Sequence, residues 1–321
     1  MKIRPRLGAG KSGDPSLYID LIDRKRAIFF DCGLNYFKHA LLRKVSDIFI
    51  SHTHIDHFIG FDTLLRLNLT EEKTLRVFGP PGMLQNVIGK LQGYTWNICQ
   101  NLQLMIVVQE IFSDKIVSTE LASWQGFAVQ RASERPFSPA ILETDEFSVR
   151  HIELNHKIPS FGYAFIEADS SNVQKDALEK YGFSPGPWVA KLKALTLEPA
   201  EAETLLMIDG QPHTVASLSE KLLVHKRGEK ITYLTDFLLE DRQLDALAEF
   251  AKESDMLFCE ASFLEQDRDK ANITHHLTAK DAGKIARAAH VKQLVLFHFS
   301  RRYQDYTPLL DEARKEFPHV E

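Results

Sequence analysis

The sequence predicts an α/β fold, and two observations support this prediction. Short apolar segments typical of buried strands alternate along the chain with amphipathic segments typical of helices. Several apolar segments also stop at a histidine or a carboxylate, which is how open α/β sheets build sites at the ends of their strands. With 321 residues, 44% of them hydrophobic, the chain can form one large core, or a core with a small inserted lobe.

The predicted strands share this ending. Strand 27–30 stops at Asp31, and five further strands deliver a candidate site residue each: 45–50 (His52), 147–154 (His156), 231–234 (Asp236), 256–258 (Glu260) and 294–297 (His298). Since strand ends at one edge of a sheet lie close together, we expect these five side chains to converge.

Two amphipathic helices are predicted in the C-terminal half. Residues 243–254 carry a stripe of leucine and alanine, and residues 281–289 carry a stripe of alanine and isoleucine. Thr278, three residues before Asp281, resembles a capping box with aspartate in the glutamate position. The second helix is therefore predicted to begin just after His276.

Composition excludes several classes of protein. A formal net charge of −5 gives no overall attraction to nucleic acid, so any such site must be a local patch. Cys32, Cys99 and Cys259 are too few and too scattered for a disulfide framework or a paired-cysteine metal site. The first ten residues lack a signal-peptide core, and no apolar run has the length of a membrane span. A cytoplasmic protein without membrane contact is predicted.

The run from His52 to His57 packs three imidazoles and one carboxylate into six residues, directly after a predicted strand. Imidazole and carboxylate are the ligands that zinc and similar transition metals prefer. The full set of candidate metal ligands is His52, His54, Asp56, His57, His156, Asp236 and His298. Seven donors are too many for one zinc ion but suit two ions that share a bridging carboxylate. We expect two Zn²⁺ ions, with Mn²⁺ as the alternative, and a hydrolase.

Residues 164–206 differ from the rest of the chain. They are rich in charge and contain Pro185-Gly186-Pro187-Trp188. The segment is predicted to be an inserted arm rather than part of the core; the alternative is a surface excursion without a function.

Several motifs together resemble the metallo-β-lactamase superfamily and, within it, the ribonuclease Z branch of tRNA 3′-processing endonucleases. The His-x-His-x-Asp-His run at 52–57 marks the superfamily. Cys259-Glu260-Ala261-Ser262, His276-Leu277-Thr278 and the stretch 298–303, His-Phe-Ser-Arg-Arg-Tyr, are similar to the branch's C-terminal motifs. The similarity extends from about Gly8 to Tyr303.

The resemblance implies an αββα sandwich, in which two facing mixed sheets are covered by outer helices. It implies an endoribonuclease that removes 3′ trailers from tRNA precursors through a metal-bridging hydroxide. It assigns His52, His54 and His156 to one metal ion and Asp56, His57 and His298 to the other, with Asp236 as the bridge. It further implies that the arm grips tRNA and that the protein forms a homodimer.

The resemblance also implies catalytic roles. Asp56 would orient or deprotonate the attacking water, and His276, polarised by Glu260, would act as general acid. His275 is the alternative acid if the motif is shifted by one residue, and Glu260 is alternatively a structural carboxylate.

Substrate contacts are predicted within the last motif. Ser300, Arg302 and Tyr303 are the candidates, although a structural ion pair is the alternative role of Arg302. Arg301, Lys191 and Lys193 are further candidate RNA contacts.

Some positions depart from the family pattern, among them Cys259, where the family usually has histidine, and Phe237, where it usually has threonine. These departures leave two alternatives open. One is a related hydrolase that acts on small phosphodiesters, sulfate esters or lactones. The other is a metal-bearing RNA-binding protein with little turnover.

Overall fold

The computed structural model describes residues 1–174, 176–196 and 199–321. Its strands, in chain order, are β1 Ile3–Leu7, β2 Leu17–Leu21, β3 Arg26–Phe30, β4 Val45–Phe49, β5 Lys73–Gly79, β6 Leu104–Ile111, β7 Lys115–Ala122, β8 Ala128–Pro136, β9 Ala140–Glu143, β10 Phe147–Asn155, β11 Pro159–Glu167, β12 Ser170–Val173, β13 Leu205–Ile208, β14 Gln211–Thr214, β15 Leu223–Lys226, β16 Lys230–Leu234, β17 Met256–Glu260 and β18 Leu294–Phe297.

The α-helices are α1 His39–Leu42, α2 Ile55–Phe58, α3 Phe61–Asn68, α4 Met83–Gln92, α5 Ala177–Lys180, α6 Trp188–Thr196, α7 Val215–Leu222, α8 Leu244–Ala251, α9 Arg268–Thr274, α10 Ala279–Ala288 and α11 Thr307–Glu316. Among the described residues, none of these helices is long and apolar enough to cross a membrane.

The chain divides into two compact units, and the larger one consists of residues 1–166 and 230–321. It contains an eight-stranded sheet in the order β1 to β8 and a six-stranded sheet in the order β18-β17-β16-β11-β10-β9. Both sheets are mixed, because β3 to β6 and β16 to β18 run parallel within otherwise antiparallel sheets.

Three layers of apolar side chains show that the two sheets face each other. One core cluster lies between the sheets, where the ring of Phe30 packs 5.4 Å from Tyr163 and 5.9 Å from Tyr233. A second cluster joins the outer face of the eight-stranded sheet to α3 and α4, and a third joins the six-stranded sheet to α8, α10 and α11. The predicted αββα sandwich is therefore confirmed.

The predicted helices of the C-terminal half are confirmed as α8 and α10. Thr278 caps α10 as expected, since its hydroxyl accepts a hydrogen bond from the Asp281 backbone N–H at 3.2 Å. The Asp281 carboxylate pairs with Arg268 at 2.8 Å, so the second half of the predicted capping box is replaced by an ion pair.

The second unit, Glu167–Glu229, has a core of its own. It contains α5 to α7 and two antiparallel pairs, β12 with β15 and β13 with β14. The hairpin β13–β14 turns at Asp209 and Gly210, both with positive φ (49° and 80°), as a tight Asp-Gly turn requires.

This unit is longer than the predicted arm at 164–206. Residues 205–208, at and just beyond the predicted end of the arm, pair with 211–214 inside the small unit. The first residues of the predicted arm belong to β11 of the large unit. Residues 175, 197 and 198 of the predicted arm lie outside the described residues.

Candidate metal centre

The candidate centre lies where strands of the two facing sheets end. The chain leaves β4 toward His52, β10 toward His156, β16 toward Asp236 and β18 toward His298, and Glu260 is the last residue of β17. The structure brings all of these side chains together, with His54, Asp56 and His57 added by the loop and the short helix α2 that follow β4.

The backbone turns sharply at the end of β3 and at two of these strand ends, β16 and β18. Asp31, Asp236 and His298 have φ of 54°, 50° and 57°, the left-handed region that residues other than glycine rarely adopt. Such a conformation persists only where its surroundings enforce it, and it is found preferentially at functional sites. Here it redirects the backbone immediately after a strand, so that the side chains of Asp236 and His298 enter the centre and that of Asp31 lies behind His57.

The first group of donors consists of His52, His54, His156 and Asp236, whose ligand atoms lie within 4.8 Å of one another. His54 Nδ1 is 2.9 Å from His52 Nε2 and 3.4 Å from His156 Nε2. Asp236 Oδ2 is 3.8 Å from His52 Nε2 and 3.7 Å from His156 Nε2. Three imidazoles and one carboxylate therefore point at a common centre.

The second group consists of Asp56, His57 and His298, again within 4.8 Å. Asp56 Oδ2 lies 3.4 Å from His298 Nε2 and 3.8 Å from His57 Nε2. Asp236 approaches this group as well, with Oδ2 3.2 Å from His57 Nε2 and Oδ1 2.9 Å from His298 Nδ1. Asp236 thus lies between the two groups, as a bridging ligand would.

Two imidazole nitrogen atoms of this centre lack a well-aligned hydrogen-bond partner among the described residues, and a bound metal ion would take its place. His57 Nε2 and His298 Nδ1 are buried and make no well-aligned hydrogen bond within the described residues. Leaving a buried polar atom unpaired costs roughly 1–3 kcal/mol, so a ligand for these atoms is expected. The donor set is compatible with a dinuclear metal site.

The pKa values at the centre agree with this assignment. Burial, together with the neighbouring imidazoles, lowers the pKa of His52 to about 2, so this ring is in the neutral form that binds metals. Burial also opposes protonation of His57, but the Asp236 and Asp31 carboxylates outweigh it and raise its pKa to about 10. The protein therefore favours positive charge beside Asp236, which divalent cations would supply in place of protons.

Asp31 orients His57 from behind. This fully buried carboxylate lies 2.8 Å from His57 Nδ1, and it accepts hydrogen bonds from the Ser51 backbone N–H at 2.7 Å and from the Tyr233 hydroxyl at 2.8 Å. A carboxylate behind a ligating imidazole fixes its ring and raises its basicity. In the sequence, Asp31 follows a predicted strand like the other site residues, but nothing there indicates a function for its carboxylate.

His275 orients a second imidazole through its backbone. Its carbonyl oxygen accepts the hydrogen bond of His156 Nδ1 at 2.9 Å, which directs His156 Nε2 toward the centre. No sequence signal could have identified this contact, because any residue at position 275 has the same carbonyl group.

We predict that Asp31→Asn weakens metal binding by about 10- to 100-fold, the usual cost of losing such a supporting carboxylate. Chelator competition would measure the effect. Tyr233→Phe is the matched control, since it removes one donor to Asp31 but keeps the carboxylate behind His57, and it should cost less. Wild-type affinity in a folded Asp31→Asn variant would contradict this role.

His276 and Glu260 form a pair beside the two donor groups. His276 Nδ1 lies 2.7 Å from Glu260 Oε2, while the other carboxylate oxygen accepts the Phe237 backbone N–H at 2.9 Å. Burial alone would lower the pKa of His276, but Glu260 outweighs it and raises that pKa. The neighbouring ring of His275 points elsewhere, because its Nδ1 lies 3.3 Å from the Asn155 carbonyl oxygen. Of these two histidines, His276 is therefore the one that Glu260 holds.

A cavity of about 400 Å³ opens next to this pair. It is lined by Ser12, Gly13, Asp14, Asp56, Ser262, Phe263, Thr274, His276, His298, Phe299, Ser300 and Arg301. Ser300, one of the three predicted substrate contacts, therefore faces the cavity, as does Arg301.

The other two predicted contacts are engaged elsewhere. The Tyr303 hydroxyl donates to Asp267 Oδ2 at 2.6 Å, and Arg302 Nη1 donates to Asp267 Oδ1 at 3.3 Å. For Arg302 the structure therefore shows the alternative, an ion pair. Both side chains support the turn around Asp267 rather than the cavity.

Comparison with known proteins identifies relatives of the chain, although no protein-family model matches it. The chain is similar to the ribonuclease Z of Deinococcus radiodurans, at 31% identity over 298 residues that cover 91% of this chain and 88% of that protein. A metallo-β-lactamase fold protein from Bacillus subtilis superposes with a TM-score of 0.58 at 14% identity, over 100% of this chain and 95% of the other. The short form of human tRNase Z superposes with a TM-score of 0.52 at 19% identity, over 95% of both chains.

Proposed function

Because the chain belongs to the ribonuclease Z family, we propose that it is a metal-dependent endoribonuclease that removes 3′ trailers from tRNA precursors. The observation that carries this proposal is the pair of donor groups sharing Asp236, next to the hydrogen-bonded pair His276–Glu260. Two adjacent metal sites and a neighbouring acid are suited to hydrolysis of a phosphodiester. A cytoplasmic location and a homodimer accompany the proposal as predictions from the sequence.

We assign His52, His54 and His156 to one metal site and Asp56, His57 and His298 to the other, with Asp236 as the bridge. All donors are imidazole or carboxylate groups, and the buried thiols of Cys32 and Cys259 are not among them. This set suits zinc, with manganese as the second candidate. When bound, the metal ions would supply Lewis-acid activation of the phosphodiester and of the attacking water.

Asp56 is suited to accept the proton of that water. It is the partly exposed carboxylate of the centre, and it lines the cavity. Burial alone would raise the pKa of Asp56, but the His298 and His57 imidazoles outweigh it and hold the pKa well below its usual range. The carboxylate is therefore ionised at neutral pH and can orient or deprotonate a water molecule in the cavity.

His276 is suited to protonate the leaving oxygen. Glu260 engages Nδ1, so the Nε2 atom remains for the substrate, and the ring lines the same cavity as Asp56. A histidine whose positive charge is stabilised by a buried carboxylate carries a proton near neutral pH. Asp56 and His276 thus provide a base and an acid that face one cavity.

The unit Glu167–Glu229 is the candidate for gripping tRNA. Its sequence has ten acidic and seven basic residues, a net charge of −3, so its overall charge does not attract RNA. Any contact with phosphates must come from local lysines, and Lys191 and Lys193 on α6 are the candidates.

Deleting this unit should impair cleavage of a tRNA precursor but not hydrolysis of a small phosphodiester. Ile166 and Lys230 are direct partners in the antiparallel ladder of β11 and β16, so an Asn-Gly turn can join them without breaking the sheet. Cleavage of a tRNA precursor should fall by at least about 100-fold because phosphate contacts are lost, while hydrolysis of bis(4-nitrophenyl) phosphate should change by less than about twofold.

The matched point variant is the double substitution Lys191→Ala and Lys193→Ala. It should lower the affinity for the precursor and make that affinity less dependent on salt concentration, while the rate of hydrolysis of the small ester stays unchanged. An equal loss of both activities in a folded deletion variant would show that the unit supports the metal centre instead.

The substrate class itself is tested directly. Purified protein should be incubated with a 3′-extended tRNA precursor, a small phosphodiester, a sulfate ester and a lactone, each with and without chelator. Cleavage of the precursor that stops with chelator supports the proposal. Turnover of only a small substrate would favour a related hydrolase, and precursor binding without turnover would favour an RNA-binding protein.

A further inference from the structure

The loop that carries His276 is held by several contacts away from the reacting groups. His276 follows His275, whose φ of 55° is left-handed, so the loop does not adopt this path on local preference alone. The His276 backbone N–H donates to the Ala271 carbonyl at 2.9 Å. Phe263 pairs with the residues that follow His276 as in a short parallel bridge. Its N–H donates to the Leu277 carbonyl, and its own carbonyl accepts from the Ala279 N–H.

Arg268 connects these contacts. This residue begins α9, and its guanidinium donates to Glu265 Oε1 at 2.9 Å, to Thr278 Oγ1 at 3.2 Å and to Asp281 Oδ1 at 2.8 Å. Thr278 is fully buried, lies two residues after His276 and caps α10. A single side chain therefore ties the end of the His276 loop to the beginnings of two helices.

The Arg268 contacts are themselves anchored. The Glu312 carboxylate on α11 accepts the backbone N–H of Glu265 at 2.9 Å and that of Lys280 at 3.2 Å. Thr278 Oγ1 also donates to Glu265 Oε2 at 3.1 Å. Glu312 thus fixes the backbone at Glu265 and Lys280, and Arg268 joins these two segments through Glu265 and Thr278. Loss of the Arg268 guanidinium would therefore displace Thr278 and, with it, His276.

We propose that Arg268 is a positioning residue for the general acid, which holds the His276 loop where the imidazole meets both Glu260 and the leaving oxygen. This inference rests on the proposed function, because it takes His276 as the acid. Arg268 touches none of the reacting groups, and its effect is exerted through Thr278. Displacement of a catalytic group by about 1 Å can cost about 100-fold in rate, so the network is expected to matter for proton transfer.

The test compares two small phosphodiesters that differ only in their leaving group, phenol or 4-nitrophenol. Arg268→Ala should lower kcat for the phenyl ester by about 10- to 100-fold, because that leaving group needs a proton. It should change kcat for the nitrophenyl ester by less than about threefold and leave KM of both nearly unchanged. Arg268→Lys should recover part of the loss. Arg287→Ala, which removes an ion pair between α10 and α11, is the control and should resemble wild type.

A second readout does not need turnover. The His276 Nδ1 proton that is shared with Glu260 should give a downfield proton NMR signal, assigned by its loss in His276→Ala. The signal should broaden or disappear in Arg268→Ala. Thr278→Val removes the hydroxyl that Arg268 contacts, and with it the cap of α10, so it should show both effects and serves as the test if Arg268→Ala does not fold.

Equal slowing of both esters in folded variants, or an unchanged His276 signal with an unchanged rate on the phenyl ester, would overturn the inference. It is also overturned if His276→Ala itself shows no dependence on the leaving group. If the wild-type protein hydrolyses the phenyl ester as described but leaves the tRNA precursor intact, the proposed substrate is wrong while the role of Arg268 stands.

Discussion

Replacing Asp236 with alanine should abolish turnover and strip the centre of metal. Asp236 is the carboxylate that approaches both donor groups, since its Oδ2 lies 3.7 Å from His156 Nε2 in the first group and 3.2 Å from His57 Nε2 in the second. Although burial alone would raise the pKa of Asp236, the His298 and His57 imidazoles hold it well below its usual range, so the bridge is anionic. Without it, several imidazoles face one another with little negative charge between them.

We expect activity to fall more than about a thousandfold, because a bridged centre stabilises charge on both the attacking and the leaving oxygen. The purified wild-type protein should contain close to two metal ions per chain, since seven donors exceed what one zinc ion needs, about four. Elemental analysis of Asp236→Ala should show fewer ions, and His54→Ala should also lose metal and activity.

Asp114→Ala removes an exposed carboxylate from the turn after β6 and is the matched control. It should retain both metal and activity. Full activity of the wild-type protein after chelation and dialysis would show that the centre does not work through metal ions.

The parts of this centre that the sequence predicts are those that local rules determine. A strand that ends in a ligand is visible in a few consecutive residues, and so is the run from His52 to His57. The αββα architecture and the pairing of His276 with Glu260 came from motifs resembling a known family. Periodicity alone would have given only the α/β class.

The remaining parts depend on partners far away in the chain. Asp31 is held behind His57 partly by Tyr233, 202 positions later, and His156 is oriented by a carbonyl 119 positions later. An ion pair is the alternative that the sequence allows for Arg302, but its motif does not identify the partner, Asp267, 35 positions earlier. The inserted unit extends past position 206 because residues 205–208 pair with 211–214 and pack against α6 and α7, and an apolar stretch of this length would fit a large core equally well.

Replacing His276 with alanine should slow substrates with poor leaving groups by roughly two to four orders of magnitude, the range for loss of a general acid. Metal content should be unchanged, because His276 belongs to neither of the two groups assigned as metal ligands. A tRNA precursor and bis(4-nitrophenyl) phosphate provide the comparison. The nitrophenyl ester should suffer much less, since its leaving group departs with little need of a proton.

Glu260→Gln should give a weaker form of the same pattern. Glu260 is fully buried and holds His276 Nδ1 at 2.7 Å, so an amide in its place keeps the shape but removes the charge that stabilises the protonated imidazole. The buried carboxylate would itself have a raised pKa, but His276 outweighs burial and lowers it, which shows that each member favours the charged form of the other. A loss of metal in His276→Ala, or equal slowing of both substrates, would mean that His276 is not the acid. His275 would then be the residue to replace, because it is the other imidazole that this loop brings beside His156.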